Sequence, residues 1–147
     1  MEAHAGVHIP HANAYPIAGQ VRDFRPEGYP KDEPMVPHGM SVSLTAPEAF
    51  RFTFDAAPQR HLHAARLLDP DYAPDAADAA STLPNVLVRL MRDIGIPAGV
   101  GAVGFLEADV DDLVDGAMKQ QRLLSIAPRE VTPDDLRTIF TRSMSLW

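Results

Sequence analysis

The amino-acid sequence predicts an all-α domain. Three segments in the second half repeat apolar residues at helical spacing, and no two alternating segments lie near each other to pair as a sheet. At 147 residues the chain is one domain by size. Such a domain buries about 68–70% of its unfolded surface and needs no metal or disulfide merely to stay folded.

The first element is a helix marked by its polar residues. His4, His8, His11 and Tyr15 follow one another at offsets of four, three and four, which on a helix aims all of them at one face. Pro10 falls inside that stretch, where it removes a backbone donor and crowds the carbonyl of Gly6, so a local kink before His11 is expected. Residues 20–37 hold four prolines and a glycine and read as a long loop, a kind of segment that often carries function. His38 then stands beside Gly39 at a helix start. Phe50, Phe52 and Phe54 alternate as a strand would, while Phe50 and Phe54 are also helical partners; with no second strand to pair with, the segment reads as helix.

Asp69–Asp78 is an acidic, proline-bearing linker. Leu83, Val86, Leu87, Leu90, Met91 and Ile94 form a helical stripe that Gly95 and Pro97 end, and Pro84 either kinks that helix or restarts it. Val110, Leu113, Val114, Ala117 and Met118 form the next, with Glu107 and Asp109 placed where a helix N-terminus favours carboxylates. The last opens on Thr132-Pro133-Asp134-Asp135, a capping hydroxyl followed by proline and acids, and buries Leu136, Ile139, Phe140 and Met144. These apolar stripes are core.

Composition narrows the chemistry. The absence of cysteine excludes disulfides, thiolate metal sites, iron–sulfur clusters and cysteine nucleophiles, so any metal must be held by nitrogen and oxygen. A net charge of −7, with acids spread through helices, argues against nucleic acid as a partner. No apolar run reaches the roughly eighteen residues of a membrane span, and Met1-Glu2-Ala3-His4 lacks the features of a secretory signal. A cytoplasmic location is therefore expected.

Imidazole is the commonest metal ligand among side chains, which makes the histidine stripe and His38 the natural place to look. The plain alternative is a set of surface or partly buried histidines without a ligand. His61 and His63 lie two apart, face different ways on a helix and suggest no site. Gly99-Val100-Gly101-Ala102-Val103-Gly104 matches the dinucleotide fingerprint in letters only, since a helix ends ahead of it and Ser125 lies near the position that requires an acid. It reads as a loop between helices. Asp111 and Asp112 belong to a solvated helix face.

Taken with their surroundings, His11-Ala12-Asn13-Ala14-Tyr15-Pro16-Ile17-Ala18-Gly19 and Pro37-His38-Gly39-Met40-Ser41-Val42 resemble the two C-terminal histidine motifs of the iron-containing alcohol dehydrogenases. Leu44-Thr45-Ala46-Pro47, Pro58-Gln59-Arg60-His61-Leu62, Lys119-Gln120-Gln121-Arg122, Ala127-Pro128-Arg129 and the terminal helix are most similar to the hydroxyacid–oxoacid transhydrogenase branch. The resemblance spans essentially the whole chain. It implies the helical C-terminal domain of the dehydroquinate synthase-like architecture, lacking the N-terminal domain that binds NAD. It also implies a metal, Fe²⁺ or Zn²⁺, held by one Asp and three His, of which His11 and His38 carry over. The Asp and the first His should lie upstream, for no Asp in this chain has a His four residues later.

Tyr15 stands where many relatives have a histidine, as is usual in the transhydrogenase branch, and is the candidate for local proton transfer. By the resemblance, a divalent ion beside a nicotinamide polarises an alcohol or carbonyl oxygen while hydride passes between an alcohol or hydroxyacid and NAD or an oxoacid. The implied partners are a small alcohol or hydroxyacid and an N-terminal nucleotide-binding domain or subunit, and a homodimer is compatible with the pattern. A fragment, a split-enzyme subunit and a non-catalytic helical metal-binding or interaction module all remain open.

Overall fold

The computed structural model describes residues 7–74 and 76–147, and among them every regular element is helical. α1 (Ile9–Gln20), α2 (His38–Ser43), α3 (Ala46–Thr53) and α4 (Pro58–Leu68) make the first half; α5 (Thr82–Asp93), α6 (Val110–Met118), α7 (Gln121–Leu124) and α8 (Pro133–Arg142) make the second. His4 lies outside the described residues.

α1 is the central helix. It packs chiefly on α6 and α2 and also meets α3 and α7. Ile9, Pro10, Ala12, Asn13, Ala14, Pro16 and Ile17 are all buried, so nearly its whole circumference faces protein, as expected of a helix without a polar side. Pro16 sits inside it and offers no N–H to the carbonyl one turn back. Close approach at that point depends on α6, where a Cβ added to Gly116 would stand 2.6 Å from the Cβ of Pro16. Glycine inside a helix costs about 1 kcal/mol relative to alanine, and here the missing side chain lets two helices touch.

Two expectations for this region are corrected. Pro10 occupies the first turn of α1, where its missing N–H has no helical acceptor to lose, so it starts the helix and does not kink it. His8 is consequently the residue before the helix, with φ −121° and ψ −118°, and does not join a stripe along it.

The later helices form where their sequence signals put them, but the core stripes are shorter than expected: Leu90 and Ile94 at the end of α5 are exposed, and Met144 lies beyond the end of α8. The hydroxyl of Thr132 accepts from the Asp135 backbone N–H at 3.2 Å, and the Asp135 carboxylate takes the Thr132 N–H at 2.9 Å, closing a reciprocal cap. Leu136, Ile139 and Phe140 are buried beneath it. α3 continues as a short 3₁₀ turn over Phe54–Ala56, so the phenylalanine segment is helical. Pro84 falls in the first turn of α5, which a 3₁₀ turn over Ala79–Ser81 precedes. A main core joins α1, α3, α6, α7 and α8, while Ala65, Leu83 and Val86 form a smaller cluster between α4 and α5.

The Gly99–Gly104 segment is a packing device. The Val100 and Gly101 N–H groups donate to the carbonyls of Ser143 and Met144 at 2.8 and 3.1 Å, and Leu146 N–H returns to the Ala98 carbonyl at 2.7 Å. A Cβ on Gly99 or Gly101 would fall 2.5 or 2.8 Å from those same carbonyl oxygens. The glycines admit the chain's last strand of backbone, and the N–H groups a phosphate would need already have partners.

Between α1 and α2 the long loop is tied at both ends. Phe24 and Val36 enter the core, and Met35 N–H donates to the Phe24 carbonyl at 2.8 Å across the neck. Arg22 forks onto the Asp109 carboxylate at 2.6 and 3.0 Å.

Candidate functional site

The side chains singled out by sequence converge where α1 meets α2. His11 lies in the first turn of α1, partly buried, and His38 is the first residue of α2, exposed. Their ring centroids stand 5.2 Å apart with the planes inclined at 64°. The frame behind them is fixed. Asn13 and Thr45, both fully buried, share a 3.2 Å hydrogen bond that ties the centre of α1 to the start of α3. Ser41 is buried beneath α2 and donates its hydroxyl to the Val36 carbonyl at 3.1 Å. Holding α1 and the α2–α3 corner together sets the distance between the two imidazoles.

Burial, and then the neighbouring His38, hold the His11 imidazole below its ordinary pKa, which favours the neutral ring that a metal requires. With metal–nitrogen bonds of about 2.0–2.1 Å and near-tetrahedral angles, two imidazoles on one ion have centroids about 5 Å apart, so the pair fits such an ion. Among the described residues no group of three histidine or carboxylate donors comes together. Two donors are half the number of an ordinary four-ligand set. Tyr15 lies one turn beyond His11 on α1 and is 50% exposed.

Sequence reasoning placed His8 on the same face as His11, yet its ring turns inward. It is 8% exposed and meets Phe50 of α3 edge-on at a centroid distance of 6.1 Å. Phe50 in turn receives the edge of His61 at 5.9 Å. His61 is structural: its Nδ1–H donates to the Ala57 carbonyl at 2.9 Å, which makes Nε2 the acceptor for the Thr53 hydroxyl at 3.0 Å. His63 is exposed. Asn13 and Thr45 fall within motifs that resemble the family, but nothing in the sequence singled them out as a pair, for one polar residue in an apolar helix looks like any other until its partner is known.

A cleft of about 200 Å³ between α3 and α8 also contains charged side chains, but they answer one another. Glu48 faces Arg51 at 3.3 Å and Arg142 at 3.9 Å, while Arg129 donates to the Phe52 carbonyl at 3.1 Å and lies over the Phe52 ring. Asp111, read as part of a solvated face, is exposed and pairs with Arg137 at 3.0 Å.

Comparison with known proteins places these features in a family. The family model for the Fe-containing alcohol dehydrogenase family, C-terminal, matches residues 33–144, a stretch that includes His38. The chain is 39% identical over 144 residues to the mitochondrial hydroxyacid-oxoacid transhydrogenase of Bos taurus, covering 97% of this chain and 31% of that protein. It is 39% identical over 145 residues to the probable mitochondrial hydroxyacid-oxoacid transhydrogenase of Dictyostelium discoideum, covering 97% of this chain and 26% of that one. Thus the chain spans about a third of the length of these relatives, or less.

Among solved structures, an alcohol dehydrogenase from Oenococcus oeni superposes with a TM-score of 0.72 at 26% identity, over 92% of this chain and 32% of that one. A 1,3-propanediol oxidoreductase shares the fold, with a TM-score of 0.73 at 23% identity over the same shares of the two chains. The expected cytoplasmic location is corrected by the relatives, which are named mitochondrial. That expectation leaned on the first residues of a chain matching only part of each relative, so it had no hold on where the longer proteins reside. No described helix is long and apolar enough to cross a membrane.

Proposed function

Because the chain belongs to the iron-containing alcohol dehydrogenase family, as its C-terminal part, we propose that it forms the helical half of a metal-dependent oxidoreductase moving hydride between an alcohol or hydroxyacid and NAD or an oxoacid. The observation carrying this reading is the facing pair His11 and His38, 5.2 Å apart on a frame locked by Asn13 and Thr45. Residues 1–147 are on this reading one metal-binding unit. The nucleotide-binding unit and the remaining donors come from outside it, in the part of the relatives that this chain does not match.

The chain's own residues have three tasks. His11 and His38 offer ring nitrogens from two different helices, so their spacing follows the α1–α2 packing. Tyr15, one turn from His11 and open to solvent, places a phenol where it can hold or pass a proton at the reacting oxygen. The packed helices behind them form a dry wall for one side of the site. A divalent ion, Fe²⁺ or Zn²⁺, would supply the polarisation of an alcohol or carbonyl oxygen.

Two protein donors predict weak binding of Zn²⁺ or Fe²⁺ by these 147 residues. Calorimetric titration with Zn²⁺ should show binding that His11→Ala and His38→Ala each abolish. His61→Ala should keep it while losing about 1–3 kcal/mol of stability through its broken buried hydrogen bonds. Equal affinity in all three variants would refute the assignment.

A further inference from the structure

His8 is a buried imidazole whose structural surroundings do not use its full chemistry. At 8% exposure its Nδ1 has no hydrogen-bond partner among the described residues, although the ring is seated against Phe50. Packing alone does not require those nitrogens: a phenylalanine would fill an aromatic-lined position without burying an unpaired polar atom, which is costly. His61, on the other side of Phe50, shows the contrast, with both of its nitrogens bonded to protein.

Position supplies the missing use. The His8 carbonyl accepts the first hydrogen bond of α1, from Ala12 N–H at 3.0 Å, so the residue is anchored at the helix start, three residues before His11. Burial, His61 and His11, in that order, disfavour charge on the ring, which leaves the enclosed, unpaired Nδ1 available as an acceptor at the start of the helix that carries His11. A histidine that ligates a metal through one nitrogen almost always donates the N–H of the other to an acceptor that orients the ring and raises its basicity.

We propose that His8 is a positioning residue whose Nδ1 accepts the outer N–H of His11, directly or through one water, when the His11–His38 pair holds a divalent ion. The assignment rests on the reading of that pair as metal ligands. It explains why a buried position carries an imidazole, and it makes the α3 packing of Phe50 part of the support of the site.

The test is Zn²⁺ affinity of the 147-residue chain, by titration calorimetry with zinc chloride, for three variants of one side chain. His8→Phe keeps the aromatic packing and removes both nitrogens, and should weaken binding about tenfold or more. His8→Asn returns an acceptor near the Nδ1 position and should restore most of the affinity, whereas His8→Gln places its amide near Nε2 and should not. Wild-type affinity in a folded His8→Phe protein, or no advantage of His8→Asn over it, overturns the proposal.

Nitrogen-15 NMR of the wild-type imidazoles keeps the question open to test even where a variant fails to fold. Adding Zn²⁺ should slow exchange of the His11 ring N–H and move the His8 Nδ1 resonance as that nitrogen becomes hydrogen-bonded. An unmoved His8 Nδ1 overturns the proposal. Loss of binding in His11→Ala and His38→Ala beside normal binding in His8→Phe removes the His8 role alone; unchanged binding in His11→Ala and His38→Ala removes the pair and the His8 role together.

Discussion

At the scale of single residues, the contacts that matter here pair a small group with a large constraint. Gly116 is the clearest, because intrinsic propensity and packing give opposite answers for its replacement. In an exposed helix Gly→Ala gains about 1 kcal/mol. In α6 the new Cβ would stand 2.6 Å from that of Pro16, on a helix buried around most of its circumference. Gly116→Ala should therefore lower stability by about 1–3 kcal/mol, read from the midpoint of urea unfolding. His11 and His38 were legible in the sequence as candidates because imidazole is a distinctive ligand and both lie in motifs that resemble a known family. The pairing of Asn13 with Thr45 was not: both fall in motifs that resemble the family, but the 3.2 Å bond between them joins positions thirty-two apart in the chain, and nothing local marks them as partners.

Elements announced themselves when one face was apolar or one end was capped. α8 could be read from Thr132, Pro133 and the acids behind them, and the stripes of α5 and α6 from their spacing. α1 was read as a helix from its histidine spacing, but its burial on nearly every side was hidden, because it has no apolar stripe set against a polar face. Its start was misjudged for a related reason: Pro10 has opposite meanings in a first turn and in a helix interior, and the histidine spacing suggested an interior. The approach to α6 also carries a pH dependence. The hydrogen bond from Arg22, with help from Leu106 N–H, holds the Asp109 carboxyl below its ordinary pKa. A depressed carboxylate contributes its stability above the unfolded pKa, about 3.9, and loses it as pH falls through the folded value. Wild type should thus be more stable than Asp109→Asn at neutral pH, with the difference constant down to about pH 5 and shrinking below about pH 4. Urea unfolding at several pH values checks this, and a difference that grew on acidification would contradict the pairing.

For the whole molecule, the proposed role depends on what lies against the His11–His38 face. Hydride transfer needs reacting atoms within about 3–3.5 Å, and the one glycine-rich motif in the chain is occupied by its own C-terminal backbone. The 147-residue chain should show no saturable NAD binding and no turnover of a hydroxyacid. Joined, by fusion or in trans, to the nucleotide-binding portion of a transhydrogenase relative, it should give metal-dependent activity that collapses on His38→Ala; fluorescence titration with NADH and a coupled rate assay measure the two arms. The fold class was legible because helical period is a local property, while the pairing of the Gly99 segment with residues 143–146 was not, being a long-range match of two irregular stretches. The loop between the imidazoles has a last consequence. With Phe24 and Val36 embedded in the core and Met35 bonded to Phe24 across the neck, the run from Arg25 to Pro34 is a tied-off bight whose length is uncoupled from the span between its roots. Natural or engineered lengthening near Gly28 can therefore reshape the outer rim of the molecule, at only about 0.6 kcal/mol for each doubling of loop length, while the two histidines keep their distance.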